Sequence, residues 1–430
     1  MLKKMHQYHL LICCIVFAML VALLTPPFVW MQVANTLNAS SIVLYVMAIP
    51  LAFALSIAVH ELGHLLGGYM SGYHFVSFRL GPLLLTRTED NFGIYYYPMP
   101  ANLGECWMAP NKGQIHNITV LFYVLGGCFA NFIAATLSII PYATLQPGPL
   151  KTCVFIFMLI SYFSVLYHAI PRKHHHKMND GMRMYYLSID RQTKLIFAKQ
   201  LLIMEKYTQA YGYQQMPEEW FDLAEDYDDH NPFLSYQKFL QIQHLIFQRK
   251  SIKAEEAIEA LLMSDKQMAD DQRAILIMDL ATIRMMYFGD NACIDILSQR
   301  IVQDIFKSMS HTLIVLRVHH LRALAYDKDQ ALSDAYLQQF KETVHRCPYL
   351  SEMFKESYFI GKVQDRPHYK YIEKLKKRRK RRGRTYLPTG FLETLQYWQE
   401  LDNPKLVHRN TDFTVLQPEL FSDLIKNGRL

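Results

Sequence analysis

Long apolar runs fill the first 170 residues, whereas the later part of the chain alternates between apolar and polar positions. Four of the runs reach the roughly 20 residues that a helix needs to cross a bilayer. They are residues 10–30, 42–68, 118–145 and 152–170. The pattern therefore predicts an all-α membrane protein whose residues 1–182 form a polytopic bundle of four transmembrane helices.

The first run admits a second interpretation, because Lys3 and Lys4 precede it as in a signal peptide. Its apolar stretch is long for such a peptide, and Pro26 and Pro27 do not form a cleavage pattern. These two features favour a helix that the mature protein keeps.

The distribution of Lys and Arg predicts how the spans are oriented. Segments 31–41 and 141–150 contain neither residue, although Lys151 directly follows the second segment, and the basic residues near the other span ends lie on the opposite side. The sequence thus predicts a multi-pass protein of the cell membrane with both termini in the cytoplasm. Segment 69–116 then faces the cytoplasm, and its β-rich runs at 74–80 and up to 97 predict a small β-hairpin insertion.

Residues 183–365 carry repeated amphipathic helical patterns with few Gly or Pro residues. They predict a cytoplasmic α-helical domain, built either as a short solenoid resembling tetratricopeptide-type folds or as a plain bundle. Such a domain could bind a cytoplasmic protein partner. No enzymatic motif falls within it.

Charge is concentrated in one place. The net charge is +7, yet residues 370–384 contain ten basic residues and one acid, so this stretch carries +9 and the rest about −2. We therefore expect residues 366–385 to be a basic linker that meets anionic lipid, with no nucleic-acid partner. Residues 386–430 are predicted to form a small C-terminal helical appendage.

The strongest chemical signal is a His-Glu-x-x-His motif near the end of the second run. His60 and His64 are four residues apart, so on a helix both imidazoles lie on one face and can reach one Zn²⁺. Glu61 stands beside them as a general base for the zinc-bound water. A carboxylate at membrane depth costs about 2.5–3.5 kcal/mol, and such residues usually mark a functional site or are paired, which argues against a chance match.

Two ligands from one helix need a third from elsewhere. Asp180, in an Asp-Gly pair just past the fourth run, is the best candidate and lies on the same predicted membrane face. An Asp-Gly pair alone is more often a plain turn. Beside the His-Glu-x-x-His motif, however, its carboxylate would complete a site with two histidines and one aspartate.

These residues resemble the site-2 protease family of intramembrane zinc metalloproteases (peptidase family M50). That family pairs the histidine motif in one span with an Asp-Gly motif near a later one, and it commonly has a Gly-xxx-Asn element between them. Here that element runs from Gly127 to Asn131. The chain departs from the family pattern at His168, where an Asn is frequent, and in the longer separation of Pro171 from Asp180.

The resemblance, which covers about residues 40–185, implies an intramembrane zinc endopeptidase. Its substrates would be membrane-embedded or membrane-adjacent proteins or peptides, cut near the cytoplasmic face. Asn131 would bind substrate or the oxyanion, or else form a helix–helix hydrogen bond. His168 is either a partner of the zinc site or a packing residue. The alternative function is a catalytically silent, metal-binding receptor or scaffold whose helical domain recruits partners.

Overall fold

The structure is a computed structural model, and it describes most of the chain between residues 39 and 364. The described ranges are 39–87, 92–98, 103–111, 113, 115–174, 177–209, 211–223, 231–264, 268–287, 297, 300–344 and 346–364, with isolated positions before 39. The predicted first span, apart from those isolated positions, lies outside these residues. So do the predicted basic linker and C-terminal appendage.

Within the described residues, three helical stretches are long and apolar enough to cross a membrane: Ile42–Met70, Leu121–Thr144 and Pro149–Ala169. The first belongs to helix α1 (Ala39–Met70). The second comprises α2 (Leu121–Leu137) and α3 (Ile139–Thr144), and the third is α4 (Pro149–Ala169). They coincide with three of the four predicted spans, because uninterrupted apolar runs leave helix as the structure that satisfies every backbone group in lipid.

The outward faces of these helices expose apolar side chains. On α1 alone, Val43, Met47 and Leu51 are each more than 60% exposed. A protein surface in water rarely carries so many contiguous large apolar groups. Hydrocarbon is the environment in which such a surface is stable.

Helices α1 and α2 cross with their backbones in contact. A Cβ atom added at Gly63 or at Gly67 would collide with the carbonyl groups of Gly126 and Phe122, respectively. Small residues four apart on a helix allow this close approach between membrane helices. The two glycines therefore allow the backbones of α1 and α2 to touch.

Between α1 and α2 lies a four-stranded sheet. Its strands are β1 (Tyr73–Leu80), β2 (Leu83–Arg87), β3 (Phe92–Tyr96) and β4 (Gly104–Pro110). Their order is β3-β2-β1-β4, and β4 pairs antiparallel with β1, with Tyr73 opposite Pro110 and Leu80 opposite Gly104. The expected small β-hairpin was wrong in extent. The sequence does not mark β4 because glycine and proline at its two ends oppose strand formation, and pairing with β1 supplies the stability.

Past α4 the chain makes a short hairpin, with β5 (Lys173–His174) antiparallel to β6 (Lys177–Met178). This hairpin contains the residues that make the separation of Pro171 from Asp180 longer than in the family pattern. The backbone N–H of Asn179 donates to the carbonyl of Arg172 at 3.1 Å, so the two ends of the insertion meet.

The described chain divides into two compact units. One comprises Met1–Leu84 and Ala101–Glu205, and the other Leu85–Pro100 and Lys206–Leu430. Helices follow the hairpin in both units. They are α5 (Asp180–Ile189), α6 (Arg191–Thr208), α7 (Pro232–Phe247), α8 (Ser251–Ser264), α9 (Asp270–Tyr287), α10 (Arg300–Ser308), α11 (Leu313–Ala325), α12 (Gln330–Val344) and α13 (Leu350–Gln364). The tetratricopeptide-like arrangement stays a prediction.

The second unit has an apolar core in which α11, α12 and α13 meet. Phe340 and Ile360 are at most 1% exposed in this core. The segment from 85 to 100 packs in the same unit, since the ring of His311 donates a hydrogen bond to the carbonyl of Pro98 at 2.9 Å. Tyr97 contacts the rings of His311 and Tyr349.

A buried cluster of charges joins four helices of this unit. Asp279 on α9 accepts hydrogen bonds at 2.8 Å from Arg317 on α11 and from Lys355 on α13. Lys355 also donates to Gln243 on α7, and Arg317 lies 2.8 Å from Glu356. Burial favours the neutral acid, but the charges of Lys355 and Arg317 keep the pKa of Asp279 below its usual value.

Asp279→Ala is predicted to lower the free energy of unfolding of this unit by about 3–5 kcal/mol, because two buried cations lose one of their two buried anionic partners and retain only Glu356. Urea-dependent pulse proteolysis of the full chain in detergent measures it. The control is Asp334→Ala on the exposed face of α12, with an expected change within about 0.5 kcal/mol. Equal stability of the two variants would contradict a stabilising role for the cluster.

Candidate metal centre

Helix α1 places both histidines of the motif on one face. His60 and His64 are 4% and 9% exposed, and their Nε2 atoms lie 3.2 Å apart. The helical spacing predicted this juxtaposition. The ring of His60 rests against Gly127 of α2, where an added Cβ would lie 2.6 Å from His60 Nε2. Side chains larger than hydrogen at position 127 would thus displace the ring.

Asp180 is the first residue of α5, and its carboxylate reaches the same point. Its Oδ2 lies 3.0 Å from Nε2 of His60 and 3.5 Å from Nε2 of His64. The carboxylate is 5% exposed.

Asn179 explains how the chain brings Asp180 to this position. Its side chain caps α5 by accepting from the N–H of Met182 at 3.1 Å, and it also accepts from the N–H of Arg172 at 2.9 Å. Its amide group donates to the carbonyls of Tyr167 and Ile170 at the end of α4. The start of α5 is therefore fastened directly to the end of the last span.

The three ligand atoms suit a tetrahedral metal ion. Zinc bonds of 2.0–2.1 Å at tetrahedral angles separate the ligand atoms by about 3.3 Å. The separations among His60 Nε2, His64 Nε2 and Asp180 Oδ2 are 3.0, 3.2 and 3.5 Å. Among the residues that the structure describes, His60, His64 and Asp180 form the group of three potential metal ligands. This donor set could hold a metal.

The second nitrogen of His64 has a partner that fixes the ring. Its Nδ1 lies 2.8 Å from the carbonyl oxygen of Tyr123 on α2. A carbonyl only accepts, so Nδ1 carries the proton and Nε2 presents its lone pair towards His60 and Asp180. Histidine ligands in metal sites are typically oriented by such a hydrogen bond. No proton then lies between Nε2 of His64 and Oδ2 of Asp180, as a cation site requires.

Glu61 is buried beside this group, with 8% of its surface exposed. The backbone of β4 passes directly over it at Gly104. A Cβ there would lie 2.6 Å from Glu61 Oε1 and 2.8 Å from Ile57 Cγ2. The start of an edge strand thus confines the carboxylate of Glu61.

Two further residues singled out in the sequence lie at the centre. Asn131 on α2 is fully buried, and its Nδ2 is 3.4 Å from His60 Nδ1 and 2.8 Å from Ser164 Oγ. His168 on α4 has Nδ1 at 3.5 Å from Asp180 Oδ2, and its ring centroid is 4.2 Å from that of His60. The structure therefore brings every predicted site residue together.

Sequence reasoning did not single out Asn179, Tyr123, Gly104 or Ser164 for the site. Asn179 carried a usable signal, because asparagine is a preferred helix N-cap and it directly precedes Asp180. Tyr123 contacts His64 through its backbone carbonyl. Every residue has such a carbonyl, so the tyrosine side chain did not mark this position in the sequence. Gly104 and Ser164 depend on tertiary contacts between segments distant in sequence.

These features define a membrane protein with a buried group of ligands suited to a metal. Residues 48–365 match the family model described as peptidase family M50. The chain belongs to peptidase family M50, the site-2 protease family. No curated protein and no solved structure matches the chain. Membership implies a membrane metalloprotease in general, and the match extends beyond the region of the motifs into the helical unit.

Loss of one ligand should empty the centre. We expect His60→Ala and Asp180→Ala to fall from about one metal ion per chain to a small fraction, because two ligands do not retain the ion through purification. Mass spectrometry of protein purified without chelators measures the content. The exposed His116→Ala serves as a histidine control and should keep full metal. Full occupancy of His60→Ala would show that the ion is bound elsewhere.

Proposed function

We propose that this protein is an intramembrane zinc endopeptidase, in which His60, His64 and Asp180 hold the metal and Glu61 is the general base. One observation carries the proposal: the ligand atoms of these three residues converge at 3.0–3.5 Å beside Glu61, at one end of a membrane-spanning helix. Family membership supports hydrolysis of peptide bonds as the reaction class.

The zinc ion, when bound, supplies the Lewis acidity that lets water attack a carbonyl near neutral pH. Glu61 takes a proton from the attacking water and returns it to the leaving amine. The burial of Glu61 excludes bulk water and keeps its carboxylate close to the reacting atoms. Asp180 contributes one negative charge, so a bound Zn²⁺ with this carboxylate and two neutral histidines would keep a net positive charge. That charge attracts the oxygen of a substrate carbonyl.

The substrate is a peptide segment in extended form, at the cytoplasmic side of the membrane. The Lys and Arg distribution supports that side, since the motif falls near the end of α1 that leads into segment 69–116. Strand β4 lies at an edge of the sheet and passes Glu61 at Gly104. Addition of an extended segment beside this strand would bring a scissile bond to the centre.

Glu61→Ala tests the catalytic role. We expect it to bind zinc as the wild type does and to lose cleavage by about 10²–10⁴-fold, because proton transfer from water is removed while the ligands remain. The inactive variant is used to trap membrane proteins, and a trapped protein is then offered to wild type in detergent micelles. His60→Ala, which lacks metal, is the control for trapping.

The scaffold alternative makes the opposite forecast. A silent receptor would retain its partners equally in wild type and in Glu61→Ala, and no trapped protein would be cut by wild type. Cleavage by wild type with none by Glu61→Ala contradicts that alternative.

Gly104→Ala probes the position of Glu61. The added methyl group would overlap Oε1 and Cγ of Glu61 and Cγ2 of Ile57, so both side chains must shift and Oε1 is displaced. A displacement of about 1 Å can cost about 10²-fold in rate. We expect cleavage to fall by that order with zinc content unchanged. Gly113→Ala is the matched control, since its Cβ meets nothing within 4 Å. Equal cleavage by both variants would refute confinement of Glu61 by β4.

A further inference from the structure

The two histidines of the centre differ in what their outer nitrogens contact. Nδ1 of His64 donates to a backbone carbonyl, whereas Nδ1 of His60 faces the side-chain amide of Asn131 at 3.4 Å. The amide nitrogen is placed towards His60, and it also donates to Ser164 Oγ at 2.8 Å. The oxygen of the same amide, Oδ1, is buried and has no hydrogen-bond partner.

This orientation of the amide suits only one form of His60. An amide N–H₂ can donate to Nδ1 only when Nδ1 bears a lone pair, which puts the ring proton on Nε2. Nε2 of His60, however, is the atom that points to Asp180 Oδ2 and His64 Nε2. A histidine that coordinates through Nε2 carries its proton on Nδ1, so two donors would then face each other.

A half-turn of the amide resolves this conflict. The two ends of an asparagine amide have nearly the same shape, and hydrogen-bond partners decide which end is oxygen. After the half-turn, the oxygen accepts from Nδ1–H of His60 and from the hydroxyl of Ser164. One acceptor in α2 then joins a ligand on α1 to a side chain on α4.

We propose that Asn131 is a positioning residue for the metal ligand His60, acting as a hydrogen-bond acceptor that Ser164 holds in place. The inference rests on the proposed zinc site. It gives Asn131 a role through its oxygen, whereas binding of substrate or an oxyanion would use its N–H₂ group. It also assigns each histidine a fixed acceptor behind the ring: the carbonyl of Tyr123 for His64 and the amide of Asn131 for His60.

The geometry of the three helices supports this assignment. Helices α1, α2 and α4 pack against one another pairwise. Asn131 is 0% exposed at the place where they meet, so it cannot exchange its partners for water. Either orientation leaves one end of the buried amide without a partner, so the choice between them rests on His60. Only the acceptor arrangement matches a ring that coordinates through Nε2 and carries its proton on Nδ1.

The test is the zinc affinity of the full chain in detergent, measured by competition with a chromophoric chelator. Asn131→Leu has a similar shape and no acceptor, and it should weaken zinc binding about 10–100-fold, the usual cost of losing a hydrogen-bond partner behind a ligand. Asn131→Asp keeps an acceptor oxygen towards both partners and lacks the N–H₂ group. It should bind zinc as tightly as wild type or more tightly.

Ser164→Ala and Thr136→Val complete the set. Ser164→Ala removes the group that holds the amide, so it should weaken binding by less than Asn131→Leu does. Thr136→Val makes a polar-to-apolar change on α2, the helix of Asn131. The Thr136 hydroxyl is exposed, donates to the carbonyl of Phe132 and lies 3.1 Å from the hydroxyl of Tyr162 on α4, so its loss removes a contact between α2 and α4 away from His60 and should leave zinc affinity unchanged.

Two results would overturn the inference. Asn131→Leu with wild-type affinity would show that His60 needs no acceptor, and Asn131→Asp with affinity as weak as that of Asn131→Leu would show that the N–H₂ group is required. If Asn131→Leu does not fold, Asn131→Asp is compared with wild type: equal or tighter zinc binding supports the inference, and binding at least about 10-fold weaker overturns it. A wild-type chain that binds no zinc would instead refute the proposed function, so the two failures are distinguishable.

Discussion

The close crossing of α1 and α2 is the constraint on which the centre depends. Gly63 and Gly67 let the backbone of α2 touch that of α1. That approach brings the carbonyl of Tyr123 within 2.8 Å of His64, lays Gly127 against the ring of His60, and sets Asn131 behind it. A larger residue at the crossing would separate the helices and remove each of these contacts together. The packing of α1 against α2 and the geometry of the centre therefore both require small residues at the crossing.

Buried charge is accommodated in different ways in the two units. In the membrane unit, one carboxylate and two histidines meet in an arrangement that could hold a cation. In the helical unit, Asp279 and Glu356 are balanced by Arg317 and Lys355, and their formal charges sum to zero. The first arrangement could take up an ion from outside, whereas the second contains its own counter-charges. This contrast supports chemistry at the first and a structural role at the second.

Much of the centre was predictable because its signals are local. Helical spacing placed His60 and His64 on one face, and apolar length identified the spans that contain or precede the ligands. Asp180 was predictable from its position after the last span. The longer separation from Pro171 did not reveal that a two-stranded hairpin returns the chain to Arg172. Two-residue strands have no periodic pattern, so only the closed hairpin shows how the motif keeps its geometry.

Other features depend on contacts between distant segments and left little trace in the sequence. Strand β4 exists because β1 is beside it, and its composition alone favours a loop. The grouping of residues 85–100 with the helical unit rests on Tyr97 and Pro98 meeting His311, more than 200 positions later. The orientation of an amide such as that of Asn131 depends on three helices at once. Hydrophobic pattern and secondary-structure propensity describe single segments. They carry no information on contacts between segments that are distant in sequence.

X-ray absorption at the zinc edge of the purified full chain tests most directly whether the buried triangle of His60, His64 and Asp180 is a zinc site. We predict imidazole scattering from two histidines and a shell of nitrogen and oxygen at about 2.0–2.2 Å, as histidine and carboxylate ligands give. A sulfur shell at about 2.3 Å, or imidazole scattering that persists undiminished in His60→Ala, would contradict it.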